Sequence, residues 1–184
     1  MNSSDLLPLL LHGNQLKRTS RTGWGQRGIV NAESVAAHSY GMTFIALALA
    51  EAIEEPLDVQ AVLIMAILHD LPEALTTDIP TPTWKLLPAD LKSNVEASIM
   101  QMMLGDLPFK ERFLAYWEQL QANETVEARL VHECDKLDMY LQALMYETQT
   151  GNRQLAEFWE NETAFTFVET QELYDELANL RQKE

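Results

Sequence analysis

Apolar positions recur along the chain at helical spacing, and no stretch carries a convincing strand pattern. In AESVAAHSYGMTFIALALAEAIEE, residues 32–55, Val35, Tyr40, Met42, Phe44, Ile45 and Leu49 spread round the helix surface, which predicts a central, widely buried helix. Pro56 ends it. DVQAVLIMAILHD, residues 58–70, predicts a second buried helix with Asp58 as its N-cap. Pro72 disfavours helical geometry at Leu71, so a boundary or kink is expected there.

The same reading predicts a short first helix over 4–12 and a long polar loop over 13–32 with four glycines. A loop of about twenty residues inside a compact domain is usually functional or disordered. The close spacing of Arg21, Trp24 and Arg27 argues for function. A loop over 76–83 precedes helices over 88–105, starting at Pro88 or Ala89, then 109–122 and 124–150. Gly151 and Asn152 fit the cap of the last of these. Residues 153–181 read as helix broken near 161–163. The expectation is an all-α bundle of about six to eight helices, forming one domain over residues 1–184.

Composition agrees with that class: 47% of residues are hydrophobic, and Gly and Pro are scarce. Cys134 is the one cysteine, so no internal disulfide can form and a reducing compartment is expected. The start of the chain has no basic segment of the signal-peptide kind. The longest apolar runs, 42–50 and 61–68, are far shorter than the ~20 residues that span a bilayer. A cytoplasmic protein without a membrane partner is expected.

The net charge of −15 argues against binding a nucleic-acid polymer. Lys17, Arg18, Arg21 and Arg27 cluster, whereas no Lys or Arg occurs from Gly28 to Trp84. That cation-free span nevertheless contains His38, His69, Asp70, Glu73 and Asp78. A site there that handles an anion needs cations from 17–27, from elsewhere in the fold, or from a metal.

The segment ILHDLPEALTTDIPTP, residues 67–82, sets charged groups at the end of an apolar run, where burial is costly without a partner or a metal. A His-Asp pair at a helix end is common and fits a solvated terminus. His38, a second histidine on a second apolar helix, changes the weighing. Imidazoles with a carboxylate form a mixed N/O set suited to Mn, Fe, Co, Ni or Zn. The long helix offers Asp135, flanked at helical spacing by Val131 and Met139 and so directed toward the core. Asp138, one turn on, is read as pairing near Lys136 or facing solvent. Glu73 and Asp78 could act as acid or base beside a metal-bound water. Alone, each also reads as a helix-end or turn residue.

Together His38, His69-Asp70 and Asp135 resemble the signature of HD-domain metal phosphohydrolases. More narrowly, LKRTSRTGWGQRGIVNAESVAAHSYGMT followed by LHDLPEALTTDIPTP is similar to the HD-domain 5′-deoxynucleotidase family. The resemblance implies one divalent metal, with Mg joining the candidate ions, held by His38, His69, Asp70 and Asp135. It implies Glu73 as the proton-transfer residue supported by Asp78, and Arg21 and Trp24 as substrate residues. Gly23 stands directly before Trp24 where some members have Arg, so the phosphate role passes to Arg21, with Arg27 able to share it. Glu33 matches the family and receives no role beyond a helix-start carboxylate. The implied reaction removes the 5′-phosphate from deoxyribonucleoside monophosphates, with Trp24 packed on the sugar against a 2′-hydroxyl. A homodimer is also implied. Rival expectations are an HD phosphohydrolase of another class (cyclic nucleotide, alarmone or deoxynucleoside triphosphate), a non-catalytic metal- or nucleotide-binding module, and an all-α interaction protein.

Overall fold

The structure is a computed structural model that describes residues 3–80, 83, 85–88, 90–160 and 163–183. Among these residues there are nine α-helices, one 3-10 helix and no strand beyond an isolated bridge between Ser20 and Ser34. They are α1 (Ser3–Gln15), α2 (Thr22–Gly25), α3 (Val35–Ala52), α4 (Val59–Leu68), α5 (Glu73–Thr76), α6 (Leu91–Leu104), α7 (Lys110–Ala122), α8 (Val126–Thr150) and α9 (Val168–Lys183). The 3-10 helix is Arg153–Trp159. The expected all-α class is observed.

Side-chain caps set several boundaries. Ser34 accepts from Ala37 N at 3.2 Å, Asp58 from Ala61 N at 3.1 Å, and Thr125 from Ala128 N at 3.2 Å. Each satisfies an amide that the first helical turn leaves without a partner. Ser34 therefore starts α3, three residues later than the apolar pattern suggests. At the other end of α8, Gly151 takes φ 66°, a left-handed cap that suits glycine.

Three departures from the sequence reading matter for the site. The stretch 13–32 is not all loop: α1 continues to Gln15 and a single turn, α2, carries Trp24. The second helix stops at Leu68. Residues 69–72 are turns closed by tight bonds such as Leu71 N to Leu68 O, and Pro72 precedes the short α5. The helix expected from Pro88 or Ala89 is described from Leu91, Ala89 lying outside the described residues. The expected break near 161–163 separates the 3-10 helix from α9, with 161 and 162 outside them as well.

α8 packs against α3, α4, α7 and α9, and α3 also packs on α4. Met42, Ala46, Met65, Leu130, Cys134 and Leu137 fill the seam between them. Two segments, 35–52 and 59–76, have the length and mean hydropathy (1.2 and 1.3) of membrane spans. Met42, Ala46 and Leu49 of the first and Val62 and Met65 of the second lie in the core, Tyr40, Phe44 and Ile67 stay exposed, and the second segment is interrupted after Leu68. A second cluster, with Leu16, Val35, Leu68 and Met100, ties α1 and α6 to the end of α4. A third, around Trp24, Tyr146 and Leu155, seats α2 on α8 and the 3-10 helix.

Candidate active site

The packing of α3, α4 and α8 brings His38, His69, Asp70 and Asp135 to one point. His38 Nε2 lies 3.3 Å from His69 Nε2 and 3.0 Å from Asp135 Oδ1. Asp70 Oδ2 lies 2.9 Å from His69 Nε2 and 3.9 Å from His38 Nε2. The opposite ring nitrogens are both engaged. His69 Nδ1 meets Ala66 O at 2.7 Å, and His38 Nδ1 meets Asp138 Oδ2 at 2.7 Å.

These contacts test whether a cation fits. A carbonyl oxygen only accepts, so His69 carries its proton on Nδ1. Asp138 fixes His38 in the same tautomer. Neutral rings then direct two Nε2 lone pairs at each other and at two carboxylate oxygens. No hydrogen lies between these atoms to hold them together. A cation resolves the conflict. Ligands about 2.0–2.2 Å from a metal sit about 3.0–3.5 Å from one another; His38 lies at such distances from His69 and Asp135, 3.3 and 3.0 Å, while Asp70 is 2.9 Å from His69 and a longer 3.9 Å from His38. Protons do the same service when no metal is bound. Burial works against a charged His38, but Asp135 and Asp138 outweigh it and lift its pKa to about 10. Burial likewise opposes the Asp70 carboxylate, while His69, Arg21 and His38 hold it down at about 2. Asp135 is driven the same way by His38 and Arg21 against its burial.

Asp138 corrects the sequence reading. It is only 7% exposed and serves His38, whereas the Asp135 side chain, expected to face the core, is 39% exposed at the mouth of the site. Glu33 also does more than start a helix: its carboxylate accepts from Trp24 Nε1 at 3.0 Å and lies in one group with His38 and Asp138.

A cleft of about 330 Å³ opens over Asp70 and Asp135, and Arg21, Trp24, Glu73 and Asp78 line it. Arg21 precedes α2, and its Nη1 lies 3.4 Å from Asp70 Oδ2. Burial disfavours its charge, yet Asp135, Asp70 and Asp78 together secure it. Glu73 opens α5 with a buried Oε2 that has no hydrogen-bond partner. Burial, with repulsion from Asp70 and Asp78, raises its pKa to about 9, so it is a neutral acid at pH 7.

The remaining expected residues are placed less directly. Asp78 Oδ2 accepts from Thr22 N at 2.5 Å, and Thr22 Oγ1 donates to Asp78 O at 2.6 Å. It thereby buckles α2 to the loop after α5. Trp24 is 2% exposed and packs edge-on to Tyr146 and tilted against Phe158. It is mainly a plug whose edge reaches the cleft. Arg27 lines the same cleft, bound to Glu157 and Gly23 O with its guanidinium over Phe158. Lys92 and Lys136 also line the cleft. They supply cations that the order of charges along the chain could not place.

A family model of the HD domain matches residues 13–173. The chain is 30% identical over 178 residues to the 5′-deoxynucleotidase HDDC2 of Bos taurus, covering 94% of this chain and 84% of that one. It is 33% identical to a 5′-deoxynucleotidase of Vibrio vulnificus, with 72% of each chain covered. Among solved structures, a conserved hypothetical protein from Pyrococcus furiosus superposes with a TM-score of 0.79 at 35% identity, over 97% of this chain and 99% of that one.

Proposed function

The chain belongs to the HD-domain family, and on that premise we propose that it is a metal-dependent phosphohydrolase acting on deoxyribonucleoside 5′-monophosphates. The observation that carries the reading is the convergence of His38, His69 and Asp135, with Asp70 against His69, beneath a cleft that also holds Arg21 and Glu73. His38, His69, Asp70 and Asp135 would hold one divalent ion, Mn, Co, Fe, Ni, Zn or Mg. Such an ion, when bound, polarises phosphate oxygen and acidifies water.

The protein's own groups divide the remaining work. Arg21 faces the phosphate and offsets charge on its non-bridging oxygens. Its long contact to Asp70 leaves guanidinium hydrogens for that purpose. Glu73 is protonated in its unpaired, buried setting, so it serves as the donor to the leaving 5′-oxygen and ends the step as carboxylate. Asp78 holds α2, and with it Arg21 and Trp24, against the cleft. The edge of Trp24 restricts space at the sugar, which favours deoxyribose.

Lys92 and Lys136 favour one alternative, a substrate with a second phosphate. Phosphate release from matched deoxy- and ribonucleoside 5′-monophosphates, a 3′-monophosphate and a deoxynucleoside triphosphate separates the two. Preference for the deoxynucleoside 5′-monophosphates supports the proposal, and preference for the triphosphate moves the substrate class. We further propose that the chain acts as one cytoplasmic domain and pairs with a second copy. The exposed α3 stripe of Tyr40, Phe44 and Leu47 is a suitable contact face. Phe44→Glu would then give monomers in sedimentation, whereas an unchanged mass would exclude that face.

A further inference from the structure

Asp138 sits outside the cleft, so it does not reach a substrate there. Its Oδ2 lies 2.7 Å from His38 Nδ1, in a pocket that leaves the residue 7% exposed. The carboxylate gets there because α3 has no side chain at Gly41. A Cβ built on Gly41 would lie 2.2 Å from Asp138 Oδ1 and 3.1 Å from its Cγ. Neither helical propensity nor backbone conformation asks for glycine at that position, since it sits mid-helix without a positive φ.

We propose that Asp138 is a positioning residue that orients and strengthens His38 as a metal ligand, and that Gly41 is the gap in α3 that admits it. The inference rests on the metal-centre reading above. Asp138 accepts the Nδ1 proton, which fixes the tautomer and leaves the Nε2 lone pair on the side of His69, Asp70 and Asp135. A charged acceptor also makes the imidazole a better donor to a cation. The two histidines differ in this respect, because His69 leans on the neutral Ala66 carbonyl, which no side-chain substitution removes. A methyl at position 41 forces the Asp138 carboxylate to move, because Oδ1 at 2.2 Å and Cγ at 3.1 Å stand where the methyl would be, and only two side-chain torsions are available to do it. Moving the carboxylate frees the ring of His38 to turn.

The test is cobalt binding to metal-stripped full-length protein without substrate, followed by visible absorption and calorimetry. Wild type, Asp138→Asn, Asp138→Ala, Gly41→Ala and the Gly41→Ala/Asp138→Ala double variant are compared. Asp138→Ala should bind cobalt about 10–100-fold more weakly, with an altered ligand-field spectrum. Asp138→Asn should fall between it and wild type, since an amide oxygen still accepts from Nδ1. Gly41→Ala should lose as much as Asp138→Ala, and the double variant no more than either, because both changes remove the same contact. Thermal unfolding of the metal-free forms reports folding separately. If Asp138→Ala does not fold, Asp138→Asn and Gly41→Ala carry the test. Wild-type affinity and spectrum in the Asp138 variants would overturn the proposal, as would losses that multiply in the double variant. A wild type that takes up no cobalt would instead overturn the metal centre on which it rests.

Discussion

At the scale of single residues, the site sets burial against charge, and Glu73 shows the consequence most clearly. Its carboxyl titrates near 9 in the fold, because burial and then Asp70 and Asp78 oppose its charge. In the unfolded chain its ordinary value is about 4.5. The folded state therefore keeps a proton that the unfolded state gives up. Stability is complete below about pH 4.5 and is lost as pH rises toward 9. Glu73→Gln removes that loss. The variant should be more stable than wild type at pH 8 in denaturant unfolding, by roughly 3–5 kcal/mol, with no difference at pH 4. Its phosphate release should fall about 10²–10⁴-fold while divalent metal still binds. Equal stability at both pH values would show that Glu73 is not held neutral. The His-Asp pair and His38 were legible in the sequence because their residue types are costly in apolar helices. Asp138 was not. Its partner lies 100 residues away, and the signal that could have found it, a glycine three residues after His38 inside an apolar helix, has meaning only once α3 and α8 are packed in register.

At the scale of elements, the long helices were readable because periodicity and caps agree in the chain itself. Ser34, Asp58 and Thr125 each supply a side-chain acceptor at the start of an apolar run. Ser34→Ala should cost about 0.5–2 kcal/mol in denaturant unfolding, and because α3 carries His38 it should also weaken metal retention. The sequence reads the segment before α3 as loop for a physical reason. Its single turn, α2, is held by Asp78 from 56 residues downstream and by the Trp24 cluster, and neither partner shows locally. Asp78 tests the division of labour between structure and chemistry. If it works chiefly by fastening α2, Asp78→Ala raises KM for substrate several-fold, leaves kcat within a few-fold, and destabilises the fold by about 1–3 kcal/mol. A collapse of kcat at unchanged KM would place Asp78 in proton transfer instead.

At the scale of the whole molecule, the net charge of −15 and the acidic character of the His38, His69 and Asp135 centre point to dependence on a cation. Four donors and their neighbours bring three helices and two turns together around a point that a bound cation, or protons in its place, must hold. A divalent ion at about a hundred times its Kd should therefore stabilise the fold by about 2.7 kcal/mol, and chelator should reverse the gain in a thermal scan. The class of fold, and the residues His38, His69, Asp70 and Asp135 that the fold gathers, were legible from order along the chain. The shape of the cleft was not, because Lys92 and Lys136 arrive from α6 and α8 only through tertiary packing. The central claim is that this centre performs phosphate-ester hydrolysis with Glu73 as its acid. The most direct measurement strips the protein with chelator, restores Mn, Co, Mg or Zn separately, and follows phosphate release from a deoxynucleoside 5′-monophosphate in wild type and Glu73→Gln. The account predicts no release without metal, recovery with at least one ion, and loss of that recovery in Glu73→Gln although the variant binds the ion. Stoichiometric metal binding with no release from any nucleotide would contradict it.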